Sequence, residues 1–128
     1  MSSAEGATVA IVDDDENTRD VFRTILEHNG MHVVEAVDGE QGLDMVRSQH
    51  PDLVLLDLGL PGISGQTVAR RLKADPATAD VRIIVVTAAA EEDTRVWALH
   101  LGCDDFLEKP VELRALTAAV ERCLEKAA

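Results

Sequence analysis

Apolar residues along this chain fall into short runs and helical stripes, and the two alternate. Residues 8–12, Thr-Val-Ala-Ile-Val, form a run that stops at Asp13-Asp14-Asp15, which predicts a buried strand. Val21, Phe22, Ile25 and Leu26 then share one helical face, and Gly30 ends that segment. Residues 32–37 predict a second strand, closed by the turn signal Asp38-Gly39. Leu43 and Val46 mark a second helix, which must stop before Pro51. Residues 52–57 hold four consecutive apolar residues between two acids. The lack of alternation is expected of a central parallel strand covered on both faces. Ser64 can cap a third helix carrying Val68, Ala69 and Leu72, broken at Asp75-Pro76. Residues 81–87 predict a fourth strand, residues 91–101 a helix ended by Gly102, and residues 105–107 a short fifth strand. The last helix spans residues 112–126, with Leu113, Leu116, Val120 and Leu124 at helical spacing.

Five strand–helix repeats with short connections imply an α/β fold: one parallel sheet with helices on both faces. The 128 residues suit one domain, placed here at residues 8–128. Residues 1–7 lack basic residues and an apolar stretch, so they are expected to be a disordered tail rather than a signal peptide. With few aromatics, the core must be built from Val, Leu, Ile and Ala.

Charge narrows the function. The net charge of -12 repels phosphate backbones and argues against direct nucleic-acid binding. No apolar run is long enough to span a membrane. Cys103 and Cys123 lack metal-ligand spacing and are expected to be reduced thiols in a cytoplasmic protein. His28, His32, His50 and His100 are scattered and suggest no zinc site.

In a parallel sheet, function collects beyond the carboxyl ends of the strands. Asp13 and Asp14 follow the first strand, Asp57 ends the third, Thr87 ends the fourth, and Lys109 precedes Pro110 after the fifth. Three carboxylates, a hydroxyl and an ammonium therefore converge on one edge. Packed carboxylates raise one another's pKa values, and a divalent cation removes that cost. A few carboxylates plus water favour Mg²⁺ over Ca²⁺. Asp13-Asp14-Asp15 lacks the ligand alternation and glycine of an EF-hand. Helix capping alone accounts for Asp15 but not for Asp57 or Lys109.

These residues resemble the response-regulator receiver family of two-component signalling. The resemblance rests on Val12-Asp13-Asp14-Asp15 followed by Arg19, Leu55-Leu56-Asp57 with Leu60-Pro61-Gly62, Val86-Thr87-Ala88, and Gly102 to Pro110. It implies a flavodoxin-like (βα)5 sheet of order 2-1-3-4-5. It further implies that Asp57 is the phosphoacceptor, that Asp14 and Asp57 ligate Mg²⁺ with the Gly59 backbone carbonyl, and that Asp13 acts nearby, often through water. Thr87 would bond a phosphoryl oxygen, and Lys109 would pair with Asp57 and then with the phosphoryl group, next to a cis Lys109–Pro110 bond. Thr87 and Phe106 would form the switch. The implied partners are a histidine kinase or histidine phosphotransfer protein as donor, and a downstream protein at the face of the fourth helix, fifth strand and fifth helix. Arg95, Leu99 and Glu108 lie in these segments, and the resemblance leaves room for a phosphorylation-dependent homodimer. Phe106 stands where many members have tyrosine, Ser64 replaces a common acid, and Gly59 and Ala89 are small at positions that influence phosphate hydrolysis.

Other classes fit less well. A hydrolase of the haloacid-dehalogenase type needs a second acid two residues after its nucleophile, where Gly59 stands. A receiver that signals without phosphate would not need the full set Asp13, Asp14, Asp57, Thr87 and Lys109. A flavin site needs small residues and backbone amides in the first loop, which carries three acids instead.

Overall fold

The structure is a computed structural model that describes residues 4–88 and 91–125. Five parallel strands, β1 (Thr8–Val12), β2 (His32–Ala36), β3 (Leu53–Leu56), β4 (Arg82–Thr87) and β5 (Asp105–Glu108), pair in the order β2-β1-β3-β4-β5. The intervening helices are α1 (Glu16–His28), α2 (Gly39–Gln49), α3 (Gly65–Ala74), α4 (Glu92–Leu101) and α5 (Leu113–Glu125). This is the flavodoxin-like arrangement expected from the sequence.

The unbroken apolar runs follow from coverage on both faces. Val9, Ile11, Leu53, Leu55, Ile84 and Val86 pack with Phe22 and Leu26 of α1 and with Leu116 and Val120 of α5. Their neighbours Ala10, Val12, Val54, Leu56, Ile83 and Val85 point to the other face, against Val46 of α2, Leu72 of α3 and Ala98 of α4. Successive strand side chains alternate between faces, so each central strand must be apolar throughout. Burying each large aliphatic side chain contributes about 2 kcal/mol.

The helix ends obey local chemistry. Asp38 caps α2 by accepting from Gln41 N at 2.8 Å, and Ser64 caps α3 by accepting from Thr67 N at 3.2 Å. Gly102 closes α4 with φ +104°, a left-handed conformation that suits glycine.

The expectation for residues 1–7 needs correction at its inner end. Ala4 is fully buried in the α1–α5 core. Ala7 N donates to Ala4 O at 3.0 Å, and Gly6 N donates to Gly30 O at 2.8 Å. A small apolar side chain fits the core here, and the backbone finds partners, so residues 4–7 form an ordered turn. Residues 1–3, Ala89 and Lys126 lie outside the described residues.

Candidate functional site

The end of β1 is bound to both of its neighbours, β3 and β2, before any side chain is considered. Asp57 N donates to Val12 O at 3.0 Å, and Asp13 N donates to Ala36 O at 3.1 Å. The pairing continues one residue beyond each strand and sets Asp13 and Asp57 side by side. Asp13 is 3 % exposed and Asp57 8 %. Asp14 is exposed, and one carboxylate oxygen from each of the three acids lies within 4.8 Å of the others.

Lys109 closes the group from the β5 side. Its Nζ donates to Asp13 Oδ2 at 2.8 Å and to Asp57 Oδ2 at 3.1 Å. Lys109 N donates to Thr87 O at 3.0 Å, which ties the lysine to the end of β4. The Lys109–Pro110 peptide is cis. The second oxygen of each buried acid is held by local backbone: Asp13 Oδ1 accepts from Asp15 N at 2.9 Å and Asp57 Oδ1 from Gly59 N at 3.0 Å.

Burial pushes the Asp13 carboxyl above its ordinary range, and the Asp57 charge adds to this, while Lys109 and the Asp15 amide pull it back down. Burial also acts to lower the Lys109 pKa, but the bonds to Asp13 and Asp57 outweigh it and hold the ammonium above its ordinary value. One ammonium against three carboxylates leaves the group short of positive charge. An all-oxygen donor set with excess negative charge fits a hard divalent cation.

Close backbone approach shapes the opposite wall. A Cβ on Gly65 would fall on the Asp57 carbonyl oxygen and 2.5 Å from Leu58 Cα. Only glycine lets α3 start this near the end of β3. Gly65 N donates to Leu58 O at 3.1 Å.

The other expected residues are distributed as follows. Thr87 is 1 % exposed at the end of β4. Phe106 is 5 % exposed, away from the acids, with the Arg95 guanidinium 5.9 Å from its ring centroid. Arg95, Leu99 and Glu108 are exposed. Arg19 matched a motif in the sequence but had no role there. Its Nη1 donates to Asp13 O at 2.8 Å and its Nε to Glu35 Oε1 at 3.2 Å. A groove of about 470 Å³ runs from Lys109 and Ala88 to Val21 and Phe22. Another cavity, about 240 Å³, opens at the opposite end of the sheet beside His50, Asp52 and Arg82, away from the acids. Among the described residues no helix is long and apolar enough to cross a membrane.

Residues 9–121 match the response regulator receiver domain family. The phosphate regulon transcriptional regulatory protein PhoB of Pseudomonas aeruginosa is 40 % identical over 121 residues, covering 94 % of this chain and 53 % of that protein. The DNA-binding dual master transcriptional regulator RpaA of Synechocystis is 36 % identical, covering 92 % of this chain and 49 % of that protein. The chain thus spans about half the length of these regulators. Protein PilH of Pseudomonas aeruginosa, 33 % identical, is covered over 98 % of its length. A CheY-like response regulator receiver domain protein from Methanospirillum hungatei superposes with TM-score 0.89 at 28 % identity, over 95 % of this chain and 96 % of that one. The extended match, the strand order and the acids gathered at the strand ends agree, and the chain belongs to the response regulator receiver domain family.

Proposed function

We infer that this domain accepts a phosphoryl group on Asp57 in a Mg²⁺-dependent reaction and thereby changes which partners it binds. The observation that carries this reading is the Lys109 ammonium bridging Asp13 and Asp57, with Asp14 beside them. Asp14, Asp57 and the Gly59 carbonyl would hold the ion, with Asp13 acting through water. When bound, Mg²⁺ supplies charge neutralisation at the phosphoryl oxygens.

The chain's own residues do the rest. An Asp57 carboxylate oxygen attacks phosphorus, and the bond from phosphorus to the donor nitrogen or oxygen breaks, its electron pair leaving with the donor. Lys109 is positioned to move from Asp57 to a phosphoryl oxygen, so the new negative charge meets an ammonium already in place. The Thr87 hydroxyl bonds a second phosphoryl oxygen. The backbone clamps on Asp13 and Asp57 fix both acids before the donor arrives, which lowers the entropic cost of reaction. A phosphohistidine on a kinase or phosphotransfer protein can approach along the groove between Lys109 and Val21. The output surface is the exposed side of α4, β5 and α5, and the domain signals rather than turning over substrate.

Incubation with acetyl phosphate and Mg²⁺ should add one phosphoryl group by intact mass. Asp57→Asn should add none. Equal incorporation in the variant would show that the acceptor lies elsewhere.

A further inference from the structure

Every backbone and carboxylate polar atom of Asp13 is engaged. Its N–H donates to Ala36 O at 3.1 Å, and its carbonyl accepts from Arg19 Nη1 at 2.8 Å. Its Oδ1 accepts from Asp15 N at 2.9 Å and its Oδ2 from Lys109 Nζ at 2.8 Å. Three of these four contacts come from backbone neighbours or from the site lysine. The fourth comes from a helix side chain outside the acid group. Arg19 is only 13 % exposed at its side chain, and the same guanidinium donates through Nε to Glu35 on β2.

The consequence falls on the next residue. The Asp13 carbonyl and the Asp14 amide form one planar peptide unit. Fixing that carbonyl fixes the plane from which Asp14 departs. Asp14 is the exposed member of the acid group, so it lacks the surrounding packing that restrains Asp13 and Asp57. Its aim must come from the backbone.

We propose that Arg19 is a positioning residue for the metal site: by forking between the Asp13 carbonyl and Glu35, it sets the peptide that aims Asp14 at the cation. This rests on the Mg²⁺ reading above. The planar guanidinium can satisfy a carbonyl and a carboxylate at once, whereas a lysine ammonium acts as a point charge on a flexible stem. Groups that orient a metal ligand without touching the metal commonly change affinity severalfold or more. The competing role is purely structural, a clamp of α1 onto β2. Arg23 offers the control, because it pairs with the other oxygen of Glu35 at 2.7 Å and with Asp20 at 2.9 Å.

The test is Mg²⁺ titration by calorimetry on the whole chain, with thermal melts in the same buffer. Arg19→Gln should weaken Mg²⁺ binding roughly tenfold. Arg19→Lys keeps the charge but loses the fork, so it should weaken binding as well. It also keeps the test available if the glutamine variant does not fold. Arg23→Gln should bind Mg²⁺ like the parent whatever it does to the melt. With acetyl phosphate as donor, half-saturating Mg²⁺ should rise in the Arg19 variants by the same factor, while the rate at saturating Mg²⁺ stays near the parent's. Parent-like Mg²⁺ affinity in a folded Arg19 variant overturns the inference and leaves the metal site standing. Equal weakening in Arg23→Gln overturns it too, because a general clamp would then account for the effect. Absence of Mg²⁺ binding by the parent removes the underlying reading and the inference together.

Discussion

Asp14 and Asp15 are adjacent and chemically identical, yet the structure gives them different work. Asp14 reaches the acid group, whereas Asp15 Oδ2 accepts from Thr18 Oγ1 at 2.6 Å at the start of α1. That bond holds the Asp15 carboxyl below its ordinary pKa. Asp14→Ala should therefore weaken Mg²⁺ by more than the roughly tenfold expected of Arg19→Gln, the lower end for an outer-shell change, and Asp15→Ala should have the smaller effect. Calorimetry that ranked them the other way would mean the loop register is misassigned. Gly65 is a second residue-scale case. A methyl there meets backbone rather than a movable side chain, so Gly65→Ala should cost about 3 kcal/mol, the upper end for overpacking. Urea unfolding reads this directly, and unchanged stability would show that the β3–α3 connection can shift freely. The acids were legible in the sequence because each follows an apolar run that ends at a predictable place. Gly65 and the partners of Arg19 were not. Sequence carries no measure of how closely two backbones approach, or of which carbonyl a guanidinium reaches.

Elements were legible wherever apolar spacing was strong. All five strands and five helices fall where the runs and stripes put them, and only their ends move. β3 is Leu53–Leu56 rather than residues 52–57, although the flanking acids each keep one backbone bond to β1, Asp52 N to Thr8 O at 2.8 Å and Asp57 N to Val12 O at 3.0 Å. β4 starts at Arg82 and α4 at Glu92, each one residue inside the expected bounds. The ordered turn at residues 4–7 was missed because three small residues and a glutamate carry no periodic signal. Helix α4 is the least anchored of the helices: Ala98 is its one buried residue, while Val96 and Leu99 are 45 % and 49 % exposed. A helix so lightly held is suited to shift when its neighbours rearrange. Phosphorylation that draws Thr87 toward the phosphoryl group would open space for the Phe106 ring, now buried under Arg95. A structure bound to a phosphoryl mimic should show a changed Phe106 rotamer and a displaced α4. An identical rotamer with and without the mimic would remove this switch, leaving Phe106 as a core residue only.

At the scale of the whole molecule, the acid site is a local concentration of a global property. The chain carries 24 acidic against 12 basic side chains, for a net charge of -12, so self-repulsion opposes the compact state throughout. The repulsion is sharpest where oxygens of three carboxylates lie within 4.8 Å of one another and only two of the acids, Asp13 and Asp57, pair with the Lys109 ammonium. Two consequences can be separated by experiment. Added monovalent salt should screen the diffuse surface charge and raise thermal stability gradually. Mg²⁺ should add a saturable increment beyond that of salt at equal ionic strength, because it binds the folded site and not the dispersed acids of the unfolded chain. At a hundredfold excess over the dissociation constant, this linkage contributes about 2.7 kcal/mol, or a Tm shift on the order of 10 °C for a domain of this size. Asp14→Asn should act in both directions. Removing one carboxylate relieves repulsion, so the metal-free variant should melt at or above the parent temperature. Removing a ligand should abolish most of the Mg²⁺ increment while leaving the salt response intact. Melting curves of parent and variant in matched NaCl and MgCl₂ decide the matter. If the variant retains the full Mg²⁺ increment, the cation stabilises this protein by general screening, and the acid group is not its binding site.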